Sequence, residues 1–90
     1  MIVASAIKFY IRDDNRYPII WTGHRHSEIL KDMFYSGIHY VKPTAIQGFI
    51  TDDNRFLDRY EAREHAIDCG QLYPEEVPFS ALYSEDLWPE

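Results

Sequence analysis

Residues 2 to 11 read Ile-Val-Ala-Ser-Ala-Ile-Lys-Phe-Tyr-Ile, with Ile7, Phe9 and Ile11 alternating against Lys8, Tyr10 and Arg12. That period of two predicts a strand with one buried face. Asp13, Asp14, Asn15 and Arg16 follow, residue types that hydrogen-bond their own backbone and tolerate left-handed conformations, before Tyr17, Pro18, Ile19, Ile20, Trp21 and Thr22 resume an extended pattern. The two runs predict a hairpin, and Pro18, which cannot donate a ladder hydrogen bond, places the second strand at an edge or at a strand start.

The period then changes. Ile29, Leu30, Met33 and Phe34 recur at helical spacing after Gly23-His24-Arg25-His26-Ser27, and Gly37 ends the helix as a left-handed cap would. After a loop through Pro43, residues 45 to 51 predict a third strand, and a second Asp52-Asp53-Asn54-Arg55 turn echoes the first at an offset of 39 residues. Two similar turns are expected from this echo rather than a repeat array, which needs about three units to bury a core. Asp58 with Glu61 has capping-box spacing and starts a second helix; Ala62, Ala66 and Cys69 form its small-residue face, and Gly70 caps it. The expected fold is a small single α+β domain in the order β-β-α-β-α, residues 1–78, followed by an acidic aromatic tail, residues 79–90. Pro74 and Pro78 break up the run into the tail, whose Phe79, Leu82, Tyr83, Leu87 and Trp88 must bury against the domain or a partner, with room for an added strand.

Composition narrows the class. Of 90 residues 46% are hydrophobic and 16% aromatic, which excludes a disordered chain. No apolar run approaches the roughly 20 residues of a membrane span and no leader pattern opens the chain, so a soluble cytoplasmic protein is expected. Cys69 is the only cysteine, so neither an internal disulfide nor a four-cysteine zinc site can form. Residues 1 to 45 carry six basic and four acidic side chains, a net +2, whereas residues 46 to 90 carry three basic and eleven acidic, a net −8. Duplex nucleic acid, which selects basic surfaces, is disfavoured as a partner.

Within that frame, His24-Arg25-His26 at a strand-to-helix junction is the strongest polar constellation. Unpaired N–H groups and the helix dipole favour an anion there, and Arg25 can grip a phosphate or carboxylate with two donors. The competing reading is that the three are solvated, or that Arg25 pairs with an acid from the C-terminal half. Arg55 and Arg59, with Arg63 one turn on, oppose the dipole of the second helix unless a ligand or local carboxylates such as Asp52, Asp53 and Asp58 offset them. If the two arginine groups converge, they can hold a nucleotide-type anion with Tyr83 or Trp88 stacking on its base. The set expected to bind a ligand is therefore His24, Arg25, His26, Arg55, Arg59, Tyr83 and Trp88. Cys69 is expected in the core and His65 on the solvent side, so their i, i+4 spacing is not read as a metal pair or a thiol site. The Asp-rich turns lack a calcium loop's ligand spacing, and no phosphate loop, zinc-protease helix or nucleophile elbow is present. Catalytic residues, metal and cofactor are all expected to be none, since a hydrolase using His24 or His26 as general base lacks an identifiable nucleophile.

The runs Gly23-His24-Arg25-His26, Gln47-Gly48-Phe49-Ile50, Arg55-Phe56-Leu57-Asp58-Arg59-Tyr60-Glu61-Ala62, Gly70-Gln71 and Leu82-Tyr83-Ser84-Glu85-Asp86-Leu87-Trp88 resemble a family of small uncharacterised phage and bacterial mobile-element proteins. The resemblance spans most of the chain and implies a phage accessory protein in the host bacterial cytoplasm. By analogy it implies counter-defence. Two modes are expected: binding of an anionic nucleotide-type ligand, or inhibition of a host defence effector or nuclease through the acidic aromatic surface. A homodimer fits both.

Overall fold

The computed structural model describes residues 1–11, 14–38 and 45–89. Its elements are β1 (Ile2–Ile11), β2 (Asp14–Gly23), α1 (His26–Ser36), β3 (Ile46–Thr51), β4 (Phe56–Asp58), α2 (Arg59–Asp68), a single 3-10 turn at Pro74–Glu76, and the one-turn helix α3 (Ser84–Leu87). This is the expected α+β fold in the expected order. The strands form one antiparallel sheet in the order β2-β1-β3-β4. Pro18 lies in the edge strand β2, the kind of strand that tolerates a missing N–H.

Three details of the sheet differ from the sequence reading. The strand β2 begins at Asp14, which pairs with Ile11, so Asp14, Asn15 and Arg16 are extended; Arg12 and Asp13, like the loop through Pro43, lie outside the described residues. Secondly, β4 is a three-residue strand between the second turn and α2, where the sequence carries too short a pattern to separate it. Thirdly, the register of β1 against β3 shifts between Ile2 and Ala4. Strict alternation sends Ile2 to the face of Ala4, but the shift turns it to the helix-covered face with Phe49 and Leu57. Gln71 locks this end of β1, its amide accepting from the Ile2 N–H at 2.8 Å and donating to the Ile2 carbonyl at 2.9 Å.

Two hydrophobic clusters fill the helical side of the sheet. Ile7 and Phe9 pack with Ile29 and Met33 of α1, flanked by Ile19 and Trp21. Only half of the predicted apolar stripe of α1 is used, since Leu30 and Phe34 are exposed. The second cluster joins Ile2, Phe49 and Leu57 to Ala62 and Ala66 of α2 and to Leu72, Val77 and Leu82. Leu87 and Trp88 pack against it, so the C-terminal segment docks on the domain through a 3-10 turn and a helical turn, with no strand among its described residues.

Local signals set the helix ends. Gly37 is left-handed (φ 74°) after α1. The Asp58 carboxylate accepts from the N–H groups of Tyr60 and Glu61 while Glu61 accepts from the Asp58 N–H, the reciprocal box predicted from spacing. At the other end of α2, Gly70 is left-handed, its N–H bonds the Ile67 carbonyl and that of Gln71 the Ala66 carbonyl. Cys69 departs from expectation: it is exposed, its thiol beside the Ala66 carbonyl, because the helix ends at Asp68 and the small-residue face that packs stops at Ala66. His65 is half-buried, not solvated, and its Nε2 is buried with no hydrogen-bond partner.

Gly48 fixes the approach of β4. A Cβ there would lie 2.1 Å from the Leu57 carbonyl oxygen and 2.7 Å from the Phe56 ring, far inside contact distance. Gly48→Ala should therefore cost about 3 kcal/mol in urea unfolding, at the upper end of overpacking effects, because the obstacle is backbone. Removing the cap with Asp58→Ala should cost only about 1 kcal/mol in the same assay.

Candidate functional site

The junction between β2 and α1 aims His24 and Arg25 at the C-terminal segment and His26 into the sheet beneath them. The hydroxyl of buried Ser5 donates to the His24 carbonyl at 3.0 Å and ties the junction to the central strand. Arg25 is the N-cap of α1 with extended backbone (φ −131°, ψ 150°); a guanidinium has no acceptor to offer the helix N–H groups and reaches outward instead. It donates to the Trp88 carbonyl and pairs with Glu85 at 3.3 Å. The Arg25 side chain is 17% exposed and that of Glu85 66%. Beside them the His24 and Trp88 rings lie 5.2 Å apart at a tilt of 39°.

Arg59, the first residue of α2, comes to the same place from the opposite side. Its guanidinium donates to the Leu82 carbonyl at 2.7 Å and to the Gln47 side-chain oxygen at 2.5 Å, and lies 4.5 Å from the centre of the Tyr83 ring. The main chain reinforces this, the Leu82 N–H donating to the Arg59 carbonyl at 3.0 Å. Desolvation lowers the Arg59 pKa from its ordinary value, opposed by Tyr83, Glu85 and Asp86; the group remains a cation.

His26 closes the cluster from beneath. It is 5% exposed, packs edge-on against Phe49 and has its Nε2 2.7 Å from the Gly48 carbonyl oxygen. A carbonyl only accepts, so Nε2 carries the proton and the Nδ1 lone pair faces Arg59, whose nearest nitrogen is 3.5 Å away. Burial pushes the His26 pKa below its ordinary value; the Gly48 bond opposes this, Arg59 adds to the lowering and Glu85 counters it. The groups in contact with His26 are the Gly48 and Ala6 backbone, the Arg59 guanidinium and the Phe49 ring, which is positioning chemistry.

The fold thus gathers His24, Arg25, His26, Arg59, Tyr83 and Trp88 from three separate stretches of sequence. Arg55 is not among them. It sits in the β3–β4 turn, bonded to Asp53 at 3.1 Å, with Asn54 left-handed (φ 64°) and Thr51 bonding both Asp53 and the Arg55 N–H. The Thr51 hydroxyl, with Arg55, lowers the pKa of exposed Asp53. Arg63 turns to the Val77 carbonyl at 3.0 Å and to Glu64 at 3.1 Å. Gln47 and Glu85 are site residues that the sequence reading missed. Gln47 carries a signal, being a polar residue on the same face of β3 as Phe49, whereas Glu85 is indistinguishable in sequence from the other tail acids. Among the described residues no His, Cys, Asp and Glu group is arranged to hold a metal, and no helix is long and apolar enough to cross a membrane.

A family model described as Phage T4 y16D protein matches residues 1–88. No curated protein and no solved structure matches the chain.

The two arginines should differ in weight. In a double-mutant cycle, Arg25→Gln with Glu85→Gln should give a coupling of at most about 1 kcal/mol that shrinks in salt, because the carboxylate is largely in water. Arg59→Met, which keeps the apolar stem but strands the Leu82 carbonyl and Gln47, should cost about 1–3 kcal/mol in urea unfolding.

Proposed function

The chain belongs to the phage T4 y16D protein family, and on that premise we propose that it is a non-enzymatic phage accessory protein. In this reading its acidic, aromatic C-terminal half binds the basic surface of a host defence effector or nuclease. The observation that carries it is the direction of the arginines. The segment from Val77 to Leu82 runs back along α2, with Arg63 on the Val77 carbonyl and Arg59 on the Leu82 carbonyl, so both cations of α2 are turned inward. What stays exposed around them is acidic and aromatic: Glu61, Glu64, Glu75, Glu76 and Glu85 with Tyr60, Tyr73, Phe79 and Tyr83. Carboxylates speed encounter with a cationic partner, and exposed rings supply the anchors that hold it.

The test is affinity capture from host cells with wild-type chain, the Glu75→Lys/Glu76→Lys double variant and Phe79→Ala, each shown to be folded by circular dichroism. A basic partner whose recovery falls about tenfold with either variant, and falls again as salt rises from 0.1 to 0.5 M, is the expected result. Recovery indifferent to charge reversal, ring removal and salt would remove the reading.

One observation favours a second reading, an anionic nucleotide-type ligand at the His24, Arg25, His26 and Arg59 cluster. Glu85 already places a solvent-exposed anion on Arg25, and a phosphate can take its place beside the Trp88 and Tyr83 rings. Glu85→Gln should then tighten binding of a nucleoside triphosphate severalfold in calorimetry by freeing Arg25. Absence of binding by both forms would dismiss it.

A further inference from the structure

One continuous chain of contacts runs from the buried centre of the sheet to the C-terminal segment. The Gly48 carbonyl holds His26 Nε2, His26 Nδ1 faces Arg59, Arg59 holds the Leu82 carbonyl, and Leu82 anchors the stretch that carries Tyr83, α3 and Trp88. We propose that His26 is a proton-operated latch for this segment. With the imidazole neutral, the Nδ1 lone pair is turned to Arg59 and the guanidinium stays on the Leu82 carbonyl; with the imidazole protonated, two cations meet at Nδ1 and the segment is released. The inference rests on these contacts and not on any reading of the partner or ligand.

The surroundings of His26 fix the sign. From β1 it meets the Ala6 backbone, from β3 the Gly48 carbonyl and the Phe49 ring, from α2 the Arg59 cation, and from α3 the Glu85 carboxylate. Glu85 is the one group here that favours the imidazolium through its charge, and it is two-thirds in water and engaged with Arg25. Burial, the largest influence, and Arg59 favour the neutral ring and together outweigh the Gly48 and Ala6 backbone bonds, which favour the imidazolium. The closed state therefore binds the proton more weakly than an opened state in which His26 reaches water with its ordinary value of 6.5. The contribution of His26 to closure is fully present above that value. It is lost as pH falls from 6.5 to the lowered value of the closed state, and across that window one linked proton raises the opening constant up to about tenfold per pH unit.

Release would change what the molecule presents. The exposed Pro78–Ser80 stretch connects the segment to Val77, which stays in the core, so the segment can leave without unfolding the sheet. Opening uncovers Arg25 and Arg59 together, since the Trp88 and Leu82 carbonyls that occupy them depart with the segment.

Amide hydrogen exchange on the full chain between pH 5 and 8, corrected for intrinsic rates, reads the latch directly. The reporters are the N–H groups of Leu82, bonded to the Arg59 carbonyl, and of Trp88, bonded to the Ser84 carbonyl. Their protection should fall up to about tenfold per pH unit below 6.5 while that of β1 and β3 holds. The slope should vanish in His26→Gln, whose amide can still donate to the Gly48 carbonyl but does not titrate, and persist in His24→Gln. A flat wild-type profile, a slope that survives His26→Gln, or parallel loss of protection in β1 and β3 would overturn the proposal. If His26→Gln does not fold, the wild-type chain decides: Leu82 opening must begin to rise near 6.5 and level off at the NMR titration midpoint of the closed-state His26 ring, and a levelling elsewhere would overturn it.

Discussion

Arg59 stands where α2, β3 and the C-terminal segment meet, and a half-buried guanidinium has to be met by acceptors on every side it turns from water. The solution uses one main-chain carbonyl, one side-chain amide and an aromatic face, all neutral. An acidic partner at that depth would have formed a desolvated ion pair whose cost rivals its attraction. Neutral acceptors leave a net positive charge at the centre of the cluster, and that charge adds to the burial that keeps His26 neutral, while Glu85 pairs with the neighbouring Arg25. The C-terminal segment is thus held less by its own secondary structure, one 3-10 turn and one helical turn, than by two arginines and the burial of Val77 and Leu82.

The same arrangement separates charge across the molecule. Arg59 and Arg63, the basic residues of α2, are engaged with the backbone of the returning segment, whereas most of the acids between Glu61 and Glu85 point to solvent. A chain with a net charge of −6 thereby exposes mainly carboxylates around α2. In the proposed role a prevailing sign raises encounter rates with an opposite surface, and apolar groups such as Phe79 and Tyr73, which the fold leaves uncovered, would supply the affinity.

Exposed pairs such as Arg55 with Asp53, or the N-terminal ammonium with Asp52, sit on the same molecule and matter less. They lie in water, where an ion pair contributes about 0–1 kcal/mol, against several for a buried apolar side chain such as Phe49. The N-terminal half of the sheet is sewn together by backbone ladders and by Gln71, so it does not share the dependence of the C-terminal segment on a few polar contacts. That difference in bonding is why the segment, and not the sheet, is the part of the fold that a single proton can address.

The sequence by itself determined what neighbours along the chain decide: the hairpin, the left-handed ends at Gly37 and Gly70, and the Asp58 and Glu61 box, because caps and turns are settled within a few residues by backbone sterics and local hydrogen bonds. It named His24, Arg25, His26, Arg59, Tyr83 and Trp88 as chemistry, but it grouped Arg55 with them and placed Cys69 in the core. The tertiary structure alone decided the rest. The register shift that buries Ile2, the close approach at Gly48, the bond from Arg25 to Trp88 across 63 positions and the one from Arg59 to Leu82 across 23 depend on how two helices and a returning segment share one face of a sheet. No periodicity encodes such contacts, since each joins residues whose spacing along the chain carries no geometric constraint until the sheet has formed.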